Sequence, residues 1–133
     1  MFRDFVSLYI AEGSKTRRNE VAIGNSDASV MKMSTYWLRK YMNPERVIEY
    51  RLQIHADHAD EEVKAYWAGI LNTSPTKVKV IRKSNSGQLG HRNFRSAYGV
   101  LSVRVFDTYF RARLGGWMDY LKKLWLYFDE DLE

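Results

Sequence analysis

A carboxylate, Glu12, stands immediately before Gly13 at the end of a segment in which Phe2, Phe5, Val6 and Tyr9 recur at helical spacing. That pattern predicts a helix ending on the acid, with Gly13 suited to a left-handed cap. Ser7 and Ala11 lie four residues apart and so share one face of this helix, where small side chains let two helix backbones approach closely. A copy of the helix from a second subunit packed there, across Ser7, Leu8 and Ala11, would bring two Glu12 carboxylates together. A second cluster, His55, Asp57, His58 and Asp60, combines imidazole with carboxylate, a set that suits zinc, nickel or iron. Its spacing crosses an expected strand-to-helix junction, where Asp57 and Asp60 have ordinary capping work, and His91 is the one other histidine. Capping is therefore the favoured reading. Gly90-His91-Arg92-Asn93 offers a lone imidazole without metal partners. There is no phosphate-binding loop, dinucleotide fingerprint or Ser-His-Asp set. The absence of cysteine excludes disulfides, thiolate chemistry and iron–sulfur clusters.

The elements that must position these groups are legible in the hydropathy pattern. Ser14 to Ile23 reads as a short hairpin turning near Arg18-Asn19. Asn25-Ser26-Asp27 supplies capping side chains for a second helix with the stripe Val30, Met33, Trp37, Leu38 and Tyr41, ending before Asn43-Pro44. From Arg46 to His55 the period changes to two. Ile48, Tyr50, Leu52 and Ile54 share one face of this strand, and Val47, Glu49, Arg51, Gln53 and His55 the other. A third helix carries Val63, Tyr66, Trp67, Ile70 and Leu71 and stops near Asn72 to Pro75. Val78 to Ile81 suggest a strand, and Ser84 to Gly90 a polar, glycine-rich loop. Val100 to Phe106 alternate again, and Asp107 caps a last helix with Phe110, Leu114, Trp117, Leu121, Leu124 and Phe128 in its stripe. Tyr98 reads as a packing residue rather than a base-stacking one.

The chain of 133 residues, 45% hydrophobic, is the size of one domain, 1–133. No apolar run is long enough to cross a bilayer, and Asp4 and Glu12 interrupt what would be the core of a signal peptide. The expectation is a cytoplasmic protein without membrane contact. Lys plus Arg number 21 against 16 acids, and four of those acids lie in Asp129 to Glu133, leaving 21 cations against 12 acids, or +9, on the rest. Val63 to Phe106 holds no acid at all but carries Lys64, Lys77, Lys79, Arg82, Lys83, Arg92, Arg95 and Arg104. Such a field implies a polyanionic partner. A basic surface without one, or a ribosome-associated protein, remains open on charge alone.

Phe5 to Gly13 resembles a diverged LAGLIDADG helix of the homing endonucleases, with Ser7 and Ala11 at its small positions, Glu12 at its metal-binding acid and Gly13 at its glycine. Phe5, Val6 and Ile10 depart from the literal motif. The order helix, hairpin, helix, strand, strand, helix is similar to that family's ββ-α-ββ-α plan, with Asp57 to about Arg95 as an elaboration. The resemblance implies an α+β fold, αββαββα with an inserted helix and basic loop, whose antiparallel sheet is packed under helices. It implies Mg²⁺ or another divalent cation held by Glu12 and the Ala11 carbonyl, a homodimer, and double-stranded DNA in contact with the polar sheet face. Arg51, Gln53, His55, Ser102 and Arg104 would face base edges, with Lys15 and Arg17 on the hairpin. Lys77, Lys79, Arg82, Lys83, Arg92 and Arg95 would contact phosphates. A regulator that has kept this fold without cleavage, an RNA-binding module and a protein-binding basic domain are the rival expectations.

Overall fold

The computed structural model describes residues 2–55, 57–83 and 97–128. Its elements are α1 (Phe2–Glu12), β1 (Glu20–Asn25), α2 (Ala28–Tyr41), β2 (Glu49–His55), α3 (Asp60–Leu71), a 3₁₀ turn at Pro75–Lys77, β3 (Val78–Lys83), β4 (Val100–Phe106) and α4 (Thr108–Leu126). The class is α+β. The strands form one sheet in the order β1-β4-β2-β3. β4 runs antiparallel to both β1 and β2, whereas β3 lies parallel to β2, so the sheet is mixed and not antiparallel throughout as expected. The reason is topological: α3 is a crossover helix, and a strand that follows such a crossover returns in the direction of the first.

Alternation decides the layers. Val21, Ile23, Tyr50, Leu52, Ile54, Val78, Leu101, Val103 and Val105 point to one face and are buried there, where the four helices pack on them. α1 contributes Phe5, Val6 and Tyr9, and α4 contributes Phe110, Leu114, Met118 and Leu121. Each such side chain, fully buried, stabilises the fold by about 1.5 to 3 kcal/mol. In α2 the buried face is Met31, Ser34, Thr35, Trp37 and Leu38, while Val30 and Met33 are only half-buried. The expected stripe is thus displaced toward the small hydroxyl residues Ser34 and Thr35, which are buried. At the far end of α4, Leu124 and Phe128 extend past the core and are exposed.

Caps set the connections. Asp27 Oδ1 accepts from the Ser29 backbone N–H at 2.9 Å and opens α2. Asp107 is buried; one of its oxygens accepts from Phe110 N–H at 2.9 Å and the other from Asn43 N–H at 2.8 Å, tying the α2–β2 connection to the start of α4. α3 departs from expectation, since Ala59 occupies its N-cap position without a side-chain bond, and Asp60 is instead ion-paired to Arg82. Gly99, at φ 79°, enters β4 so close to β2 that a Cβ would fall 2.5 Å from the Gln53 carbonyl oxygen.

The expected first hairpin is reduced to one bridge, Gly13 to Ile23, with Ser14 N–H donating to Ala22 O at 2.9 Å. Gly13 does not adopt the left-handed conformation predicted for it. Its lack of a side chain serves a different purpose, since a Cβ there would lie 2.4 Å from the ring of Tyr9. The Tyr9 hydroxyl, beneath it, donates to Ser14 O at 2.7 Å and accepts from Ala22 N–H at 3.1 Å. Burial pushes the Tyr9 phenol above its ordinary pKa of 10.0. Tyr9→Phe leaves two part-buried backbone groups without this partner and is expected to lower unfolding free energy by about 1 to 2 kcal/mol in urea titration. A group whose folded pKa is raised stabilises fully below its unfolded pKa and loses that contribution as pH rises through the folded value. The Tyr9→Phe variant is therefore expected to lose less stability than the parent above pH 10, a difference readable by thermal melting across that range.

Candidate functional site

The sheet face opposite the helices carries the residues singled out for recognition, and the register fixes their neighbours. Arg104 stands across from Glu49 on β2 and from Ala22 on β1. Ser102 pairs with Gly24 and Arg51, and Arg51 in turn with Lys79. Gln53 lies between Val100 and Ile81, and His55 beside Lys83. Arg51, Gln53, His55, Ser102 and Arg104 are thus brought onto one face, and all are half-buried. Arg17, exposed at the connection into β1, is paired to Glu20 at 3.5 Å. The β3 alternation also puts Lys79 on this face, whereas Arg82 points the other way and binds Asp60 and the carbonyl of His55, the latter at 2.9 Å. Lys77 is exposed in the 3₁₀ turn before β3. The side chain of Lys83, and Arg92 and Arg95 entirely, lie outside the described residues.

Sequence reasoning passed over Glu49. Its carboxylate accepts from Arg104 Nε at 2.9 Å and from a second nitrogen of the same guanidinium, and Arg51 approaches the same oxygen at 3.9 Å. The hydrogen bond from Arg104 holds the Glu49 carboxyl below the usual range, with Arg51 and Lys79 adding to the effect. Arg104 also stacks on Phe106, 4.8 Å from the ring centre. Two cations of the face are thus held in place by one acid, which both orients them and cancels part of their field.

The end of α1 meets this sheet at its β1 edge, through the Gly13 bridge. Glu12 is exposed and, among the described residues, has no hydrogen-bond or ion-pair partner. Ala11 is exposed beside it, while Ser7 and Leu8 are half-buried. Asp4, Ser7 and Ala11 form the stripe opposite the buried Phe5, Val6 and Tyr9. The Lys15 ammonium, expected to reach outward, bends back onto the helix end, donating to Ile10 O and Gly13 O at 2.8 Å each. Those carbonyls form the negative end of the helix and attract a cation. The histidine cluster is otherwise engaged: His58 Nδ1 accepts from His55 N–H at 3.0 Å, and Asp60 is held by Arg82. Among the described residues, no group of three or more His, Asp or Glu side chains converges on one point. Tyr98 stacks on Tyr66 at 3.7 Å between ring centres while its carbonyl accepts from Trp67 Nε1 at 2.7 Å.

Glu49→Gln removes the carboxylate that holds Arg104 and Arg51, so the affinity of the face for a polyanion is expected to rise several-fold at low salt, measured by fluorescence anisotropy with labelled duplex DNA. The linked stability has a definite sign. A depressed carboxyl pKa stabilises above the unfolded value, ordinarily near 4.5, and that contribution falls away as pH drops through the folded value. Glu49→Gln is accordingly expected to flatten the acid limb of the stability profile below about pH 4.5. No helix among the described residues is long and apolar enough to cross a membrane. No family model, curated protein or solved structure matches the chain.

Proposed function

We infer that the protein is a LAGLIDADG-like, site-specific double-stranded DNA endonuclease acting as a homodimer. The observation that carries the reading is the coincidence, at one edge of a helix-free polar sheet face, of a helix stripe with half-buried Ser7 and exposed Ala11 and an unpartnered terminal acid. The chain order supports it. α1, the bridged residues with β1, α2, β2, β4 and α4 follow the ββ-α-ββ-α plan, and α3 with β3 forms an addition at the outer edge of the sheet.

In this reading two copies pack through Ser7, Leu8 and Ala11, each setting Glu12 beside the two-fold axis. The donor set fits a hard divalent cation such as Mg²⁺. Glu12 supplies a free carboxylate, the adjacent Ala11 carbonyl lies at a helix end already attractive to cations, and the scissile phosphate and water would supply the remaining oxygens. Such an ion lowers the pKa of bound water and stabilises charge on the phosphate. The chain's own contribution is placement. Tyr9 fixes the helix end against β1, and Arg51, Gln53, Ser102 and Arg104 offer donors to base edges from one face. Lys77 and Lys79 serve phosphates, together with Lys83, Arg92 and Arg95 where their side chains reach.

The second reading, a DNA-binding regulator of the same fold without cleavage, is favoured by one observation: Lys15 already supplies a cation at the end of α1. A supercoiled-plasmid nicking assay with Mg²⁺ or EDTA separates the two. Glu12→Gln is expected to abolish cutting while leaving duplex affinity within about twofold, and retained cutting removes the catalytic assignment. Arg51→Ala and Arg104→Ala are each expected to weaken specific binding by about 1 to 3 kcal/mol and relax base preference at one position.

A further inference from the structure

At the N-terminal ends of β2 and β3, opposite the edge that carries Glu12, lies an open cleft of about 720 Å³. Five cations line it: Arg39 from the last turn of α2, Arg46 from the α2–β2 connection, Arg51, Lys77 and Lys79. The one acid there, Glu49, is already engaged by Arg104 and Arg51. Among the described residues, the side chains of Arg46, Lys77 and Lys79 have no hydrogen-bond or ion-pair partner. Arg39 is oriented by its bond to the Tyr50 hydroxyl at 2.8 Å. Five like charges in one concavity, with Glu49 the one acid in its lining, leave a strong positive field in a place that admits an anion.

The kind of anion follows from the surroundings. The nearby end of α2 is its C-terminal, negative end, and no helix N-terminus of eight or more residues lines the cleft, so a free phosphate is not cradled there. The cations are instead mostly long exposed side chains, and two of them, Arg51 and Lys79, also belong to the outer sheet face. That continuity suits a phosphodiester backbone running off the sheet. We propose that the cleft holds the backbone phosphates of the DNA strand that lies across the sheet, forming the outer end of the half-site. This rests on the DNA-binding reading above. From the Gly13 bridge to β2 and β3 there are three and four strand intervals, or about 14 to 19 Å at about 4.8 Å each. At about 3.4 Å per base pair this places the cleft roughly four to six base pairs from the Glu12 edge.

The test is the salt dependence of binding to a labelled 30-base-pair mixed-sequence duplex, with Arg46→Gln, Arg39→Gln, Arg39→Lys and Arg113→Gln. Arg46 makes no side-chain contact that folding needs, so its variant stands even if Arg39→Gln, which loses the Tyr50 bond, fails to fold. Arg113 lies in the helix layer against Tyr41 and Trp117 and serves as the control. Arg46→Gln and Arg39→Gln are each expected to make the log–log slope shallower by about one and to lower affinity several-fold near 100 mM salt. Arg39→Lys and Arg113→Gln are expected to keep the parent slope. A parent that binds with the same slope as Arg46→Gln overturns the cleft assignment alone. Saturable binding of ATP, lost in Arg46→Gln, overturns it in favour of a free nucleotide. A parent that binds no duplex overturns the DNA-binding reading and the cleft assignment together.

Discussion

The position of everything at the β1 edge depends on one buried phenol. Tyr9 lies in the core face of α1, yet its hydroxyl bonds two backbone groups on either side of the chain's passage from helix to strand, Ser14 O and Ala22 N. Gly13 must then cross directly over the ring, which leaves no room for a side chain. The outcome is a helix whose last residue, Glu12, is held at a fixed height beside the sheet although the side chain itself touches nothing described. An exposed carboxylate on a fraying helix end would be a poor ligand, because ordering it would cost conformational entropy at the moment of binding. Here the backbone beneath it is already fixed.

The outer sheet face follows a related economy. Arginines are long and flexible, and a row of them on a bare sheet would sample many rotamers. Glu49 confines Arg104 by a two-nitrogen bond and draws Arg51 toward the same oxygen, so two guanidinium groups are preorganised at the cost of part of their field. Exposed ion pairs of this kind add little to stability. Their consequence lies in orientation, and in the residual charge, which Lys79 and the cleft cations supply in excess of the single charge of Glu49.

Much of this was legible in the sequence because period-two alternation is a strong signal: the facing of Glu49, Arg51, Gln53, Ser102 and Arg104 needed only residue types and order. What stayed hidden depends on contacts between distant segments. That Glu49 faces Arg104 is a matter of register between strands 55 residues apart. The cleft gathers Arg39, Arg46 and Lys77 from a helix end, a loop and a turn, none of which carries a motif. The parallel direction of β3 comes from its crossover and leaves no mark in hydropathy. The displaced stripe of α2 has a simpler cause: Ser34 and Thr35 read as polar, but their side chains are small and are buried.

Two exposed surfaces could in principle bring copies of the chain together, and charge distinguishes them. The last turn of α4 and the residues after it expose Leu124, Trp125, Leu126, Tyr127 and Phe128, a larger apolar area than α1 offers. Yet that segment runs directly into Asp129, Glu130, Asp131 and Glu133. A two-fold contact formed there would bring together two copies of a stretch that is followed in sequence by four acids. Along α1 the same symmetry operation apposes slim Ser7 and Ala11, with Asp4 on the same stripe, and the two Glu12 carboxylates would repel each other at the helix end. A cation between the two Glu12 groups would cancel that repulsion. In the proposed dimer, association through α1 and divalent-ion binding would be linked equilibria, each strengthening the other, whereas association through α4 would respond to monovalent and divalent salt alike, through screening alone.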